Sequence, residues 1–487
     1  MKYNEESRVF TVIQFMVFST LEFLFLYLIV ALGFYYLFPR KLRNIWLLII
    51  SLVFYGWGEP IYLFLMVFTI VVDYVCGYMV DKFRADKKKA KTALVISVIL
   101  NLAILGFFKY YDFIVGSIIN LIPGVNIPLL GLSLPIGISF YTFQALSYVI
   151  DVYRGDASVQ KRITSFGAYV TLFPQLIAGP IVRYKDVDDA LNERHETVDL
   201  FASGIRTFMA GLCKKILFAN VVGQLWSNIR DVPTGERTVV AAWLGIIFYS
   251  LQLYFDFSAY SDMAIGLGKM MGFRFLENFN YPYIADSITD FWRRWHMSLS
   301  TWFRDNVYFP LGGSRCSLFK TYRNLFIVWM LTGIWHGAYW NYILWGVFYG
   351  IILMMEKGFL LKWLEKVPKV IRHVYTLLIV LFGWLIFVFE NTSEGWAYLK
   401  NMFGVGASGF ASTADAYMVL RNLIFIAILI IACTPLPKKL FYKLYFNEFK
   451  VGKVWRVLVP VGCVALLVVC TAYMVDSSFN PFLYFRF

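Results

Sequence analysis

The 487-residue sequence has few charged side chains. Asp, Glu, Lys and Arg make up 16% of it, whereas hydrophobic residues make up 59%, and the mean hydropathy is +0.63. This composition excludes an ordinary soluble domain and also an intrinsically disordered chain. We detect no Ser/Gly linker, no internal repeat and no cleavable signal peptide, since the first apolar run is too long and lacks a basic n-region. The sequence therefore predicts a single integral membrane domain.

Signatures of the common catalytic and metal sites are also missing. The six cysteines, at positions 76, 213, 316, 433, 463 and 470, are scattered without metal-ligand spacing. Neither a zinc site nor a disulfide framework is therefore indicated. No G-x-S-x-G elbow, H-E-x-x-H helix or P-loop occurs in the sequence.

Long apolar runs, by contrast, recur along the whole chain. Their lengths predict an all-α polytopic membrane protein with about 11 to 13 membrane segments. The Gly- and Pro-broken segment 121–140 is a candidate re-entrant element. We predict a possible N-terminal extension at 1–15, a single membrane domain at 16–475 and an aromatic tail at 476–487, because MVFSTLEFLFLY from Met16 resembles a natural start.

The formal net charge is +14. In a soluble protein this would suggest nucleic acid, but here Lys and Arg cluster in short loops, as the positive-inside rule expects. The loops 82–91 and 436–456 are the most basic and are predicted to be cytoplasmic. One apolar span, 457–475, then places the tail on the outer face. Part of the charge is also suited to attract anionic lipids or an anionic cofactor.

Histidine occurs only four times. His195 lies in a polar loop, and His373 begins an apolar helix, so structural or solvated roles are favoured for both. His296 lies in an amphipathic island and is either an interfacial hydrogen-bonding residue or a functional one. His336 lies in a nearly apolar run, where an ionisable residue is costly, so function is favoured over a histidine satisfied by a neighbouring helix.

Acyl transfer from a thioester needs a base that takes a proton from a hydroxyl acceptor, and histidine suits that task. Because a thioester is already activated, neither a serine triad nor a metal is required. Asn341, close after His336, is a candidate for orienting a substrate or the imidazole; its alternative is packing between helices.

Several strings carry a family resemblance. They are FWRRWHMSLSTWFRDNVYFPLGGSR, LTGIWHGAYWNYILWG, LPIGISFYTFQALSYVIDVYRG, LFPQLIAGPIVRY and FDFSAYSDMAIGLG. Together they resemble the membrane-bound O-acyltransferase family, in its alginate O-acetyltransferase membrane-subunit branch. The resemblance implies helices around a central tunnel, with His336 at the catalytic position, His296 at the second histidine and Asp305 in the family's WFRD element.

The resemblance further implies transfer of an acetyl group from cytoplasmic acetyl-CoA towards a cell-envelope or secreted polysaccharide, in a bacterial cytoplasmic membrane. The candidate contacts for the CoA phosphates are basic residues: Arg293, Arg294, Arg304, Arg315 and Lys320. The alternative is that these side chains only satisfy the membrane topology and bind lipid headgroups. A lipid-directed acyltransferase, a D-alanyl transferase and a transporter are the alternatives. The transporter is weaker, since no two-half symmetry is visible and charges are sparse in the spans.

Partners follow from the same resemblance. No part of the sequence could hold a polymer outside the cell, so we predict a separate extracytoplasmic acyltransferase of the serine-hydrolase type, together with polysaccharide synthesis or export machinery. The final string FLYFRF resembles a C-terminal motif whose tyrosine accepts the acyl group. Tyr484 is its only nucleophile, and the alternative for the tail is an interfacial aromatic anchor.

Overall fold

A computed structural model describes residues 16–177, 179–446, 450–476 and Leu483. The predicted extension at 1–15 and Tyr484 lie outside the described residues. Within them the chain consists of helices joined by loops and contains no β-strand. The all-α polytopic fold is thereby confirmed.

The N-terminal part of the chain supplies eight α-helices. They are α1 (Leu28–Leu37), α2 (Arg43–Gly58), α3 (Leu63–Lys82), α4 (Lys87–Leu121), α5 (Ile138–Arg154), α6 (Ile163–Thr171), α7 (Phe173–Leu176) and α8 (Asp188–Asn192). The Asp86 side chain begins α4 by accepting hydrogen bonds from the backbone N–H groups of Lys88 and Lys89, as an N-cap residue does. Of the candidate re-entrant segment 121–140, residues 122–137 form an irregular loop, whereas Leu121 ends α4 and residues 138–140 begin α5.

The central part of the chain carries both candidate histidines. Its helices are α9 (Val198–Cys213), α10 (Asn220–Arg230), α11 (Val239–Met270), α12 (Ile288–Arg294), α13 (Met297–Phe303), α14 (Leu318–His336) and α15 (Trp340–Met355). A π-helical turn, Lys214–Ala219, joins α9 to α10. The 32-residue α11 is the most buried candidate span, because α9, α10 and later helices pack around it.

The C-terminal part completes the membrane domain. It contains α16 (Leu361–Leu364), α17 (Lys369–Val388), α18 (Thr392–Met402), α19 (Thr413–Arg421), α20 (Leu423–Ala432), α21 (Leu436–Tyr445) and α22 (Lys450–Asp476). Helix α17 packs against α11 and α15 and so closes the central part of the chain.

Among the described residues, seven helices are long and apolar enough to cross a membrane, or eight if the pair α19 and α20, bent by 60°, is one span. The expected number was larger because several apolar runs do not form one long helix. Helix α5 has 17 residues, nearly all of them buried inside the protein. The run near 163–180 divides into the short helices α6 and α7.

The two faces of the molecule can be followed along α4. Its first residue, Lys87, belongs to the basic loop 82–91, and Arg84 of that loop donates a hydrogen bond to the Val152 carbonyl. Lys109 lies 109 − 87 = 22 residues further along α4, a rise of roughly 33 Å. Because the hydrocarbon core is about 30 Å thick, Lys109 lies near the face opposite the basic loop.

Candidate active site

His336 is the last residue of α14 and is 4% exposed. Its ring centroid lies 5.1 Å from that of Trp335, 5.0 Å from that of Trp345 and 5.3 Å from that of Phe387. These aromatic neighbours come from α14, α15 and α17. The imidazole is thus held in an apolar, aromatic environment at the meeting point of three helices.

Two residues of α4 satisfy the end of α14. A helix leaves its last carbonyl groups without partners inside the helix. The Lys109 ammonium donates to the Trp335 carbonyl and the Tyr110 hydroxyl donates to the Ile334 carbonyl. Lys109 also donates to the Ser139 hydroxyl over 3.1 Å. A buried positive charge at a helix C-terminus is favourable, so Lys109 and Tyr110 fix the turn that presents His336.

Close packing of α14 against α15 also fixes this turn. A methyl group added at Gly333 would overlap the Tyr342 carbonyl, and one added at Gly346 would overlap the Trp329 carbonyl. Small residues at such contacts let membrane helices approach closely. The position of His336 therefore depends on glycine at both positions.

His296 lies between α12 and α13, with φ of 45°. This left-handed conformation is costly for a residue with a Cβ atom, and such strain persists only where surrounding structure enforces it. The enforcing contacts come from Asn278: its backbone carbonyl accepts from the Met297 N–H at 2.9 Å, and its side-chain oxygen accepts from the Ser298 N–H and hydroxyl at 3.2 and 3.0 Å.

The same Asn278 oxygen lies 3.1 Å from His296 Nδ1. Because the Asn278 oxygen can only accept a hydrogen bond, the neutral imidazole must carry its proton on Nδ1. Its Nε2 atom then keeps a free lone pair. Nε2 has no hydrogen-bond partner among the described residues. Burial lowers the pKa of His296 to about 3. The ring is therefore neutral, and its Nε2 can accept a hydrogen bond from a substrate.

Glu356 supports the helix that leads to His296. Its buried carboxylate accepts from the Ile288 N–H at 2.8 Å and from the Thr289 N–H and hydroxyl at 2.7 and 2.6 Å. These N–H groups are at the first turn of α12, where a negative charge is favourable. Ser287 caps the same helix by accepting from the Asp290 N–H at 3.0 Å.

Both histidines line one cavity of about 220 Å³, which we call the basic-face cavity. Trp335 lies between them, with ring centroids 6.0 Å from His296 and 5.1 Å from His336. Arg293 and Arg304 also line it. The neighbouring Asn306 accepts from Arg154, the last residue of α5, so the arginine end of this cavity lies on the face of the basic loop.

A second cavity, of about 660 Å³, approaches His336 from the other end, and we call it the far-face cavity. It is lined by Lys109, Gly337, Phe387 and Glu390, among others, and also by Leu483 of the C-terminal segment. Gly337 follows His336 directly, and Phe387 contacts its ring. His336 therefore lies between a cavity on the basic face and a cavity on the opposite face.

The other predicted binding residues divide into two groups. Arg293 and Arg304 line the basic-face cavity, as noted. Arg294 instead pairs with Asp290 at 2.9 Å, and Arg315 and Lys320 are exposed on the loop side of α14. None of these three is among the residues that line either described cavity.

Asp305 and Asn341 make structural contacts. Asp305 accepts from Arg183 at 2.6 Å and from Arg304 at 2.9 Å. It thereby ties the loop after α13 to the segment after α7. Asn341 donates to the Phe387 carbonyl at 2.9 Å, so it positions the aromatic residue that packs on His336. Among the described residues, no group of three or more His, Cys, Asp or Glu could hold a metal ion.

Sequence reasoning did not identify the supporting residues Lys109, Asn278 and Glu356. Lys109 and Glu356 each carried a usable signal, namely a charge within or at the end of an apolar run, which is expensive in a membrane. Asn278 carried none, because it lies in a polar stretch and its hydrogen bonds to His296 and Ser298 are visible only in the folded structure.

Comparison with known proteins identifies the family of this chain. The model of the MBOAT, membrane-bound O-acyltransferase family, matches residues 156–393. A probable alginate O-acetylase AlgI from Pseudomonas putida is 40% identical over 97% of this chain and 100% of the relative. The chain belongs to the membrane-bound O-acyltransferase family. It is an O-acyltransferase.

Other relatives are similar across most of their length. A probable alginate O-acetylase AlgI from Pseudomonas aeruginosa is 47% identical over 80% of this chain and 75% of the relative. A peptidoglycan O-acetyltransferase from Helicobacter pylori is 32% identical over 84% of this chain and 86% of the relative. The matches include relatives named for two different polymers, so the family assignment is independent of the acceptor.

Proposed function

We propose that this protein transfers an acetyl group from acetyl-CoA on the cytoplasmic side of a bacterial cytoplasmic membrane for O-acetylation of a cell-envelope or secreted polysaccharide on the other side. The observation that carries the proposal is the position of His336, buried between two cavities that open towards opposite faces. The names of the relatives, alginate O-acetylase and peptidoglycan O-acetyltransferase, support acetyl transfer to a polysaccharide.

The face of the protein that binds the acyl donor follows from the position of its positive charges. Arg293 and Arg304 line the basic-face cavity, and the positive-inside rule makes the face of loop 82–91 cytoplasmic. Acetyl-CoA is a phosphate-bearing thioester, and guanidinium groups bind phosphate well. In this proposal the phosphates stay at the arginine end, while the thioester reaches the histidines.

The chemistry is an acyl transfer in which His336 acts as the general base. It takes the proton of an acceptor hydroxyl, the oxygen attacks the thioester carbonyl carbon, and the carbon–sulfur bond breaks to release CoA thiolate, which is protonated to the thiol. The neutral His296 orients the donor by accepting a hydrogen bond at Nε2, because in this tautomer it has no ring proton left to donate to an oxyanion.

The first acceptor in this proposal is the Tyr484 hydroxyl, which would carry the acetyl group without the bulky, charged CoA. A separate extracytoplasmic acyltransferase of the serine-hydrolase type then passes the group to the polymer, and the C-terminus lies on that side. Leu483, which precedes Tyr484, lines the far-face cavity beside Gly337, and this supports delivery of the tail to His336.

The central experiment compares His336→Ala with His195→Ala, whose histidine is exposed in a loop. Loss of a general base costs about 10²–10⁴-fold in rate, so purified His336→Ala should lose acetyl-CoA turnover by that factor while inserting and eluting as the parent does. His195→Ala should keep parental turnover. Near-normal turnover in His336→Ala would refute the assignment.

Two further measurements separate the parts of the proposal. Tyr484→Phe removes only the hydroxyl, so it should eliminate polymer acetylation and any acetyl adduct on the C-terminal peptide in mass spectra. Unchanged acetylation would return the tail to the role of an aromatic anchor. Acetylation of the polymer by this chain alone, without an extracytoplasmic partner, would refute the two-protein scheme. Label transferred to lipid, or from a D-alanyl donor, would support the alternatives.

A further inference from the structure

An ion pair lies deep within the membrane domain, and neither of its residues lines the basic-face cavity. Lys215, in the π-helical turn between α9 and α10, lies 2.7 Å from Asp256 in the middle of α11, and their side chains are 4% and 1% exposed. Removing two charges from water costs several kcal/mol per ion in real proteins, and the attraction between them does not reliably repay it. Such a pair in a membrane protein therefore suggests a function.

The two oxygens of Asp256 have different partners. Oδ1 accepts from the Lys215 ammonium, whereas Oδ2 accepts from the backbone N–H of Leu483 at 2.9 Å. Leu483 is 227 residues away in the sequence. Because the donor is a backbone group, this contact fixes where Leu483 lies without depending on its side chain.

The contact also places Leu483 beside the candidate site. Leu483 lines the far-face cavity together with Gly337 and Phe387, and its side chain packs against the protein core. A charge-assisted hydrogen bond is stronger than a neutral one. The ion pair with Lys215 orients the carboxylate, which leaves the second oxygen available for the Leu483 amide.

We propose that Lys215 and Asp256 form a docking site that holds the C-terminal segment in the far-face cavity through the Leu483 amide. The docking site positions the segment and takes no part in the chemistry. Its purpose, delivery of Tyr484 to His336, rests on the proposed function, whereas the docking itself does not.

A double variant, Lys215→Met with Asp256→Leu, tests the docking. It removes both charges together, and replacing a buried ion pair by apolar residues is often neutral or stabilising, so the fold should persist. Hydrogen exchange of the C-terminal peptide, followed by mass spectrometry, reads the Leu483 amide directly. Exchange at this amide should become at least tenfold faster in the double variant, and polymer acetylation should fall at least tenfold.

A matched control lies next to this pair. Lys214 and Asp262 form an ion pair at 2.6 Å on the same two helices, with side chains about 30% exposed, and neither lines a described cavity. Lys214→Met with Asp262→Leu should leave both the exchange of the C-terminal peptide and polymer acetylation at parental levels. Equal effects in the two double variants would overturn the docking site.

Leu483→Pro is a second route, because it removes the N–H donor and leaves the ion pair intact. It should lower polymer acetylation about as much as the double variant and speed exchange in the rest of the C-terminal peptide. Parental acetylation and exchange in Leu483→Pro would overturn the proposal even if the double variant failed to fold.

The outcomes also distinguish this inference from the proposed function. If Tyr484→Phe abolishes acetylation but the Lys215 and Asp256 substitutions leave exchange unchanged, the docking site is wrong and the carrier role stands. If exchange accelerates while Tyr484→Phe remains active, the docking site stands and the carrier role is wrong.

Discussion

The left-handed backbone of His296 allows its ring to be tested separately from its fold. With φ at 45°, any residue with a Cβ atom pays about 1–2 kcal/mol that glycine does not pay. His296→Gly and His296→Ala both remove the imidazole and its hydrogen bond to Asn278, which is worth about 1 kcal/mol. The Asn278 oxygen keeps its two donors from Ser298, so neither variant leaves this acceptor unsatisfied.

The two variants should therefore differ in stability but not in activity. His296→Gly should unfold at a free energy about 1 kcal/mol above that of His296→Ala, because only glycine relieves the backbone strain. If the ring accepts a hydrogen bond from acetyl-CoA, kcat/KM for acetyl-CoA should fall about tenfold in both variants, the equivalent of about 1.4 kcal/mol.

The assay is acetyl-CoA turnover measured alongside thermal unfolding in the same detergent. KM for acetyl-CoA should rise in both variants, since the proposed contact is with the donor. Recovery of parental kcat/KM in His296→Gly but not in His296→Ala would show that only the backbone matters, and this would refute a role for the ring. A loss of 10²–10⁴-fold in both would instead indicate proton transfer by His296.

Three further predictions concern the supports of the site. Gly346→Ala should push α15 away from α14 and lower both thermal stability and turnover, whereas Gly106→Ala, with nothing within 4 Å of the added carbon, should be neutral in both assays. Glu356→Gln removes the charge at the start of α12 and should lower the unfolding free energy by about 1–3 kcal/mol. The control is Glu365→Gln, because the Glu365 side chain is exposed. This control should change the unfolding free energy by less than about 0.5 kcal/mol. Lys109→Met leaves the Trp335 carbonyl at the end of α14 without its cation, and it should lower kcat more than it raises KM for acetyl-CoA. Equal kinetics in Lys109→Met and the parent would exclude a positioning role for Lys109.

Much of the architecture could be predicted from the sequence because membrane helices satisfy their own backbone hydrogen bonds, so local apolar length carries the signal. The same signal does not say whether an apolar helix faces lipid or protein. Helix α5 illustrates the limit: its sequence is as apolar as a short span, yet nearly all its residues are buried within the protein. Apolar runs were counted as spans where the chain uses them as internal packing elements.

The candidate site was predictable only where one residue carried the signal by itself. His336 and His296 stood out as rare ionisable groups, and the structure places both on one cavity. Asp305 was predicted only from the family's WFRD element, and its partner Arg183 lies 122 residues earlier. Sequence spacing gives no access to such a pairing, so a structural ion pair could not be told from a substrate contact.

The buried charges themselves show how the site is built. Lys109 meets the carbonyl end of α14, Glu356 meets the N–H end of α12, and Asp256 meets a backbone N–H of the C-terminal segment. Each charge therefore pairs with backbone groups that are costly to leave unpaired inside a membrane. Each also holds an element next to the cavities. A charge in a membrane span thus indicates function here mainly through positioning, whereas His336 is the proposed general base. It follows that single substitutions at Lys109 or Glu356 should alter stability and kinetics together, whereas substitution of His336 should alter kinetics alone.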